Sequence, residues 1–137
     1  MSETFLMIKP EVVSAGAQPI GAILELVQRS GFQIRNLVQR QLDRALAQEF
    51  YAVHRERPFF ASLVSYISSG PVVCVHLERD DAVRRLRELV GATDPAEAAA
   101  GTLRFLYGRS LQENAVHASD SEDSARREIS LIFGRRP

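Results

Sequence analysis

The apolar residues of this chain recur in two patterns, and each pattern predicts one kind of secondary structure. Residues 4–8 and 72–77 are apolar on both faces, which is typical of strands in the middle of a sheet. Residues 32–42 alternate apolar and polar side chains, as a half-exposed strand does. Residues 115–118 predict a last, short strand.

Helical spacing of apolar residues predicts the other long elements. Helices are expected at residues 20–29, 43–54, 59–68 and 80–90, and a final helix begins within residues 119–123. Pro10 is suited to the first turn of a short helical segment, whereas residues 14–19 predict a loop. Residues 92–113 are irregular, and so long a connection inside a compact domain usually has a function.

The order of these elements predicts the fold class. When the inserted helices are left out, the order is βαββαβ. This order indicates a ferredoxin-like α+β sandwich with a four-stranded antiparallel sheet and added helices. A length of 137 residues predicts a single domain over residues 1–137. Residues 135–137 are expected to form a solvated tail.

Composition narrows the class of protein. Hydrophobic residues make up 45% and charged residues 25%, as in ordinary globular proteins. The 17 basic and 17 acidic side chains balance, so no overall field attracts nucleic acid or an anionic membrane. The single Cys74 permits neither a disulfide framework nor a cysteine–histidine metal site. Without a signal-peptide pattern or a membrane-spanning apolar run, we expect a cytoplasmic protein.

His117 is the first candidate for chemistry. It lies among Asn, Ser and Asp residues at 114–121, and a neutral imidazole offers a nitrogen lone pair for proton transfer, metal binding or attack on phosphorus. Glu128 falls on the inner face of the final helix, where a carboxylate must be paired or must orient another group such as His117. The alternatives are a surface or capping histidine and a glutamate that reaches solvent.

Three cations predict a phosphate site. Lys9 is the only lysine of the chain and follows a predicted strand, Arg87 adjoins an apolar helix stripe, and Arg104 lies in the irregular segment. Each of them alone is usually a surface charge, and sequence leaves open whether they converge. Together they would bind phosphate through side chains. A glycine-rich P-loop is excluded, because no Gly-Lys-Ser/Thr follows Gly16 and Gly21.

Over essentially its whole length the chain resembles the nucleoside diphosphate kinases. The resemblance rests on collinear motifs in the family's order and spacing, which makes it highly specific. The motifs are Ile8-Lys9-Pro10-Glu11, Phe50-Tyr51 through Phe59-Phe60, Ser69-Gly70-Pro71-Val72, residues 87–95, Gly101-Thr102-Leu103-Arg104 and residues 114–121.

The resemblance implies a ping-pong kinase. A nucleoside triphosphate, typically ATP, gives its γ-phosphate to His117, and a second diphosphate then takes it, which maintains NTP and dNTP pools. Lys9, Arg87, Arg104 and a Mg²⁺ ion held mainly by the nucleotide phosphates would meet the charge on the transferred group, with no direct protein ligand to the metal. The implied partners are ATP, GTP and other ribo- and deoxynucleoside di- and triphosphates, with no specific nucleic acid and no membrane.

The family's site residues carry over onto matching positions of this sequence. Thr93 would contact phosphate, and Asn114 with Lys9 would hold the sugar hydroxyls. Phe59 would stack on the base, inside a shallow apolar clamp. The implied catalytic residues are His117, Lys9, Tyr51 and Glu128, and the implied nucleotide-binding residues are Lys9, Phe59, Leu63, Arg87, Thr93, Arg104, Leu111 and Asn114.

The chain departs from the family's usual pattern next to the histidine. Ala118 stands where the family usually has glycine, and that glycine would be needed either for a positive φ or only for its small size; we favour the second reading. Leu106 replaces a common acidic residue, Glu11 stands for a common aspartate, and residues 15–18 form a slightly longer segment.

The family assembles from dimers into tetramers or hexamers, and we expect a homotetramer rather than a hexamer. Two other classes of protein compete with the kinase. One is a ferredoxin-like binding module inactivated at Ala118. The other is an RNA-binding sheet, which the absence of an aromatic-rich strand and the zero net charge disfavour.

Overall fold

A four-stranded antiparallel sheet forms the centre of the fold. In a computed structural model that describes residues 1–15 and 17–134, the strands are β1 (Ser2–Ile8), β2 (Gln33–Gln41), β3 (Pro71–Arg79) and β4 (Val116–Ala118). Their order across the sheet is β2-β3-β1-β4, and all three pairings are antiparallel. The predicted ferredoxin-like α+β class is confirmed.

Helices connect the strands and cover both faces of the sheet. In the described part of the chain they are α1 (Pro10–Ser14), α2 (Ala17–Arg29), α3 (Arg44–Phe50), α4 (Phe60–Ile67), α5 (Ala82–Val90), α6 (Leu103–Tyr107) and α7 (Glu122–Phe133). Two 3₁₀ turns, Ala52–His54 and Pro95–Glu97, lie between them. None of the described helices is long and apolar enough to cross a membrane.

The sheet separates two apolar layers. On one face, Leu6 and Val75 pack with residues of α2 and α5, and on the other face Phe5 and Cys74 pack with residues of α3, α4 and α7. Strands β1 and β3 are therefore buried on both sides, as their continuous apolar runs predicted. Burial raises the pKa of the Cys74 thiol to about 12, which keeps it a buried apolar residue.

Three helix boundaries differ from their predictions, and one helix was not predicted. Residues 17–19 were expected in a loop but form the first turn of α2. The helix after Asp43 ends at Phe50, seven residues long, and a 3₁₀ turn replaces its expected last turn. Residues 92–113 contain helix α6, which Thr102 caps. The helix expected at Asp80–Asp81 begins at Ala82, whose N–H donates to Ser2 Oγ (2.8 Å). Gly16 and the tail 135–137, for which a loop and a solvated end were predicted, lie outside the described residues.

Candidate active site

His117 is held from one side by a buried carboxylate. It lies in the middle of β4, paired with Met7, and its Nε2 is 2.9 Å from Glu128 Oε1. Ser119 Oγ donates to the same oxygen (2.7 Å), and Glu128 is 5% exposed. An ionised carboxylate only accepts, so Nε2 of a neutral imidazole carries the proton and Nδ1 keeps its lone pair. The free nitrogen is therefore Nδ1.

Aromatic rings enclose the imidazole on its buried side. The ring centroid of Phe50 lies 5.0 Å from that of His117, and those of Phe5 and Tyr51 lie at 6.2 Å and 6.5 Å. Burial and the charge of Glu128 raise the pKa of Tyr51 well above its ordinary value, so the phenol stays neutral. Tyr51, which was predicted to orient His117, packs with its ring against the imidazole.

Lys9 lies at the end of β1, where it donates to the neighbouring loop. Its Nζ lies 2.7 Å from Asn114 Oδ1 and 3.2 Å from the carbonyl oxygen of Gln112, and Asn114 Nδ2 donates to the carbonyl of Thr93 (3.0 Å). Burial, with a further contribution from the charge of Arg104, lowers the pKa of Lys9 to about 8. A bound anion would favour the charged ammonium.

Two guanidinium groups face the same space. Arg104 donates from Nη1 to the carbonyl of Gly91 (3.1 Å) and from Nη2 to that of Val116 (3.0 Å). Burial, followed by the charge of Arg87, lowers the pKa of Arg104 to about 10. Arg87 is exposed, and its guanidinium makes no hydrogen bond or ion pair with any described residue. Two like charges whose mutual repulsion lowers a pKa favour an anion between them.

All of the predicted site residues meet in one cavity of about 730 Å³, a volume typical of small-molecule sites. Convergence, which the sequence left open, is thus a property of the fold. Among the residues that line the cavity are Lys9, Tyr51, Phe59, Leu63, Arg87, Thr93, Arg104, Leu111, Asn114, His117 and Glu128.

The mouth of this cavity is apolar and open to solvent. Phe59 is 47% exposed and Leu111 is 64% exposed, and Leu63 is half-buried behind them. Val53, 69% exposed, also lines the cavity. Exposed apolar side chains at the rim of a polar cavity indicate a ligand with one flat apolar end and one charged end.

Sequence reasoning missed several residues of the cavity. Asp120 stands three residues after His117 inside a quoted motif; a hydrogen bond from Ser124 lowers the pKa of its carboxyl, and Arg87 lowers it further. Arg127 precedes Glu128 and donates to the carbonyls of Glu49 and Phe50 at the end of α3 (3.0 and 2.9 Å). Both residues are close in sequence to a predicted site residue, and this closeness was the signal that could have identified them. Val53, His54 and Gln112 also line the cavity and were not predicted.

Ala118 does not stand at a position that needs glycine. It lies within β4, is 6% exposed, and has no positive φ; the described non-glycine residues with positive φ are Asp81 and Ala115. A small buried side chain is what this position requires, which agrees with the favoured reading. The unusual backbone conformation lies three residues earlier, at Ala115 (φ 77°).

Comparisons with known proteins agree with this geometry. The sequence profile of a family described as nucleoside diphosphate kinase matches residues 2–137. A nucleoside diphosphate kinase of Desulfovibrio desulfuricans is 54% identical over 133 residues, 97% of this chain and 94% of the relative.

Solved structures of the same family share the fold. That of the nucleoside diphosphate kinase of Aquifex aeolicus has a TM-score of 0.92 at 45% identity and covers 96% of this chain and 94% of its own. The enzyme of Halobacterium salinarum, solved in complex with CDP, has a TM-score of 0.92 at 43% identity and covers 98% of this chain and 88% of its own.

Proposed function

The chain belongs to the nucleoside diphosphate kinase family, and we propose that it transfers phosphate in two half-reactions through a phosphorylated His117. The overall reaction of the family moves a phosphoryl group from a nucleoside triphosphate to a nucleoside diphosphate. The observation that carries the mechanism is the hydrogen bond between His117 Nε2 and Glu128, which leaves Nδ1 as a nucleophile in the cavity.

In the first half-reaction Nδ1 of His117 forms a bond to the γ-phosphorus of the triphosphate. The bond from phosphorus to the β–γ bridging oxygen breaks, and the electron pair leaves on the diphosphate. The imidazole ring becomes positive, and the Glu128 carboxylate at Nε2 stabilises that charge without a proton leaving the site. In the second half-reaction a terminal oxygen of another diphosphate forms a bond to the same phosphorus. The bond from phosphorus to Nδ1 breaks, and its electron pair returns to Nδ1, which restores neutral His117.

Phosphate charge is met by Lys9, Arg87 and Arg104, and we propose that Thr93 contributes a further phosphate contact. All four residues line the cavity with His117. The described residues contain no group of three or more His, Cys, Asp or Glu side chains that could hold a metal ion. This donor set fits a Mg²⁺ ion held mainly by the nucleotide phosphates, which needs few protein carboxylates. When bound, such an ion neutralises charge on the β- and γ-phosphate oxygens.

The rest of the nucleotide would extend to the rim. We propose that Lys9 and Asn114 bind the sugar hydroxyls, since their side chains already pair at 2.7 Å, and that the base lies against Phe59, Leu63 and Leu111. Stacking is possible for every base because every base has an apolar face. This supports the use of purine and pyrimidine nucleotides. We further propose that ribo- and deoxynucleotides are both substrates and that the protein maintains NTP and dNTP pools in the cytoplasm.

For assembly we propose a homotetramer rather than a hexamer. Strand β2 is an edge of the sheet, and its Leu37 is 50% exposed, which supports pairing with another copy. Light scattering of the purified protein is expected to give four times the 15.3 kDa mass of the chain. A mass of six chains would overturn the tetramer and leave the chemistry untouched.

Labelling with ATP that carries ³²P at the γ-position tests the phosphohistidine. The folded protein is expected to acquire label that survives alkali, is lost in acid, and is discharged by added GDP. His117→Ala should acquire none, whereas His76→Gln, which changes a histidine outside the cavity, should label like the wild type. Label that persists in folded His117→Ala, or no label on the wild type, would contradict the proposal.

A further inference from the structure

Glu11 is a half-buried carboxylate that the reaction above does not use. It is the second residue of α1 and reaches two partners far along the chain. Its Oε2 accepts a hydrogen bond from the backbone N–H of Ala115 (3.0 Å), and its Oε1 accepts one from the hydroxyl of Tyr66. Both carboxylate oxygens are therefore engaged within the protein.

Ala115 forms the turn that leads into the catalytic strand. Its φ is 77°, and the N–H of Val116 donates to the carbonyl of Asn114 (3.0 Å), the bond that closes a three-residue turn. A non-glycine residue with this φ persists only where the surroundings hold it. Ala115 is fully buried, so water does not satisfy its backbone.

The surroundings hold Ala115 at both of its backbone groups. Glu11 accepts from its N–H, and its carbonyl accepts from the backbone N–H of Lys9 (2.8 Å). The turn separates Asn114, which pairs with Lys9 Nζ, from His117, which pairs with Glu128. Its conformation therefore determines the distance between the nucleotide-binding side of the cavity and the nucleophile.

Tyr66 in turn orients Glu11. Burial, followed by its hydrogen bond to Glu11, raises the pKa of Tyr66 far above its ordinary value, so the phenol remains a neutral donor. Lys9 Nζ lies 5.7 Å from the centre of the Tyr66 ring, so the ring also supports the ammonium. Tyr66 belongs to α4, the helix that carries the rim residue Leu63.

We propose that Glu11 is a positioning residue for phosphoryl transfer: with Tyr66 it holds the Ala115 turn in the conformation that aligns His117 with a nucleotide bound at Lys9 and Asn114. The proposal rests on the proposed function. Glu11 is not among the residues that line the cavity, and it acts through the backbone of Ala115. Nucleotide binding should depend on it less than the rate does. The bonds from Lys9 to Asn114 and from Asn114 to Thr93 do not include it, and its charge is a smaller influence on the pKa of Lys9 than burial and Arg104 are.

Single-turnover phosphorylation by ATP separates alignment from folding. At saturating ATP, the rate constant for labelling reports alignment, and the final fraction of labelled sites reports how much protein is folded and competent. We expect Glu11→Ala to lower the rate constant about 10²-fold, the size expected for a nucleophile displaced by about 1 Å. The final labelled fraction should stay unchanged, and the ATP concentration for half-maximal rate should change by less than about threefold.

Two further variants test the hydrogen bonds one at a time. Glu11→Gln keeps an oxygen for the Ala115 N–H, and its amide can donate to the Tyr66 hydroxyl, so its rate constant should return to within about threefold of the wild type. Tyr66→Phe keeps the ring beneath Lys9 and removes the hydroxyl, and should fall between wild type and Glu11→Ala. Controls are Glu25→Gln, which changes an exposed glutamate of α2, and Tyr107→Phe on α6, both with unchanged rates.

The possible results distinguish a positioning role of Glu11 from a purely structural one, and failure of this proposal from failure of the phosphohistidine mechanism. A Glu11→Ala protein that labels fewer sites at the wild-type rate constant shows a purely structural role and overturns the proposal. So does a wild-type rate with a full labelled fraction, or a Gln variant as slow as Ala. Absence of label on the wild type, or its persistence in His117→Ala, would instead contradict the phosphohistidine mechanism.

Discussion

The two ends of the nucleotide cavity are built on opposite principles. At His117, hydrogen bonds to a buried carboxylate fix the polar side chains: Glu128 is 5% exposed and accepts from both His117 and Ser119. At the rim, Phe59 and Leu111 are 47% and 64% exposed and offer only apolar surface. Hydrogen bonds fix the orientation of the histidine ring. The rim offers apolar contact area, which does not fix the orientation of a bound group.

The difference matches the two demands on the reaction. Phosphoryl transfer requires a nucleophile aligned with the bond that breaks, and small displacements are expensive in rate. Acceptance of many bases requires the opposite, since donors and acceptors aimed at a base edge would select among bases. A protein that fixes one end of its ligand and leaves the other loosely held can be fast and unselective together.

Among the substitutions that test the difference between the two ends, removal of the Glu128 carboxylate should lower the rate most. Glu128→Ala leaves Nε2 of His117 without its acceptor, so the imidazole loses both its tautomer and its orientation. We expect the rate constant for labelling by ATP to fall about 10²-fold, a typical loss for a group that orients another. Glu122→Ala, an exposed carboxylate in the first turn of the same helix, is the matched control and should label normally. Equal rates for Glu128→Ala and wild type would remove Glu128 from the mechanism.

Alkaline pH should weaken the fixed end through Lys9. Its pKa in the free enzyme is about 8, so the ammonium is charged at pH 7 and mostly neutral at pH 9. We expect kcat/KM for ATP to fall about tenfold between these values, because this ratio follows the titration of the free enzyme. Arg104, with a pKa of about 10, remains charged over most of this range. Bound phosphates favour the ammonium, so kcat should fall only at higher pH.

The variant Lys9→Arg tests whether the decline in kcat/KM comes from the titration of Lys9 or from that of another group. The guanidinium stays charged over the whole range, so the variant should lose the decline between pH 7 and 9 even if its absolute activity is lower. A decline that persists unchanged in Lys9→Arg would assign it to another group.

Phe59→Ala should have the smallest of the three effects and should act on binding alone. Loss of a stacking surface that is half open to solvent is expected to raise KM for ATP and for pyrimidine triphosphates alike, by about fivefold, with kcat at saturation unchanged. Phe105→Ala, at a phenylalanine 52% exposed outside the cavity, is the control. A fall in kcat as large as that of Glu128→Ala would erase the distinction between the two ends.

Much of the fold was predictable because its strongest signals are local. Continuous apolar runs predict β1 and β3, and alternation predicts β2. The helix expected from residue 43 begins next to Asp43, whose carboxylate accepts from the N–H of Leu46 (2.8 Å). The errors fell at helix boundaries, where propensity is weak, and at the short helix α6, which lies in the segment expected to be irregular. Residues 17–19 form the first turn of α2, although Gly16 and Pro19 favoured a loop, and the helix after Asp43 is shorter than predicted.

The sequence predicted which residues belong to the site better than it predicted the hydrogen bonds between them. Glu128 was conspicuous as a carboxylate on an apolar helix face, and the structure pairs it with His117. Nothing in the sequence singled out Glu11 as the partner of Ala115, since the two residues are 104 positions apart. The single-domain boundary at residues 1–137 and the tetramer stay predictions.

The amino-acid order alone indicates the periods of the strands and helices, the scarcity of lysine and cysteine, and the side chains that we propose for phosphoryl transfer. These are properties of residues and their near neighbours. The packing of the folded chain brings Lys9, Arg87 and Arg104 to one cavity and leaves Nδ1 as the free nitrogen of His117. It also gives the positive φ to Ala115 rather than to Ala118. Each of these depends on distances between residues far apart in the chain, which only the packing of helices against the sheet establishes.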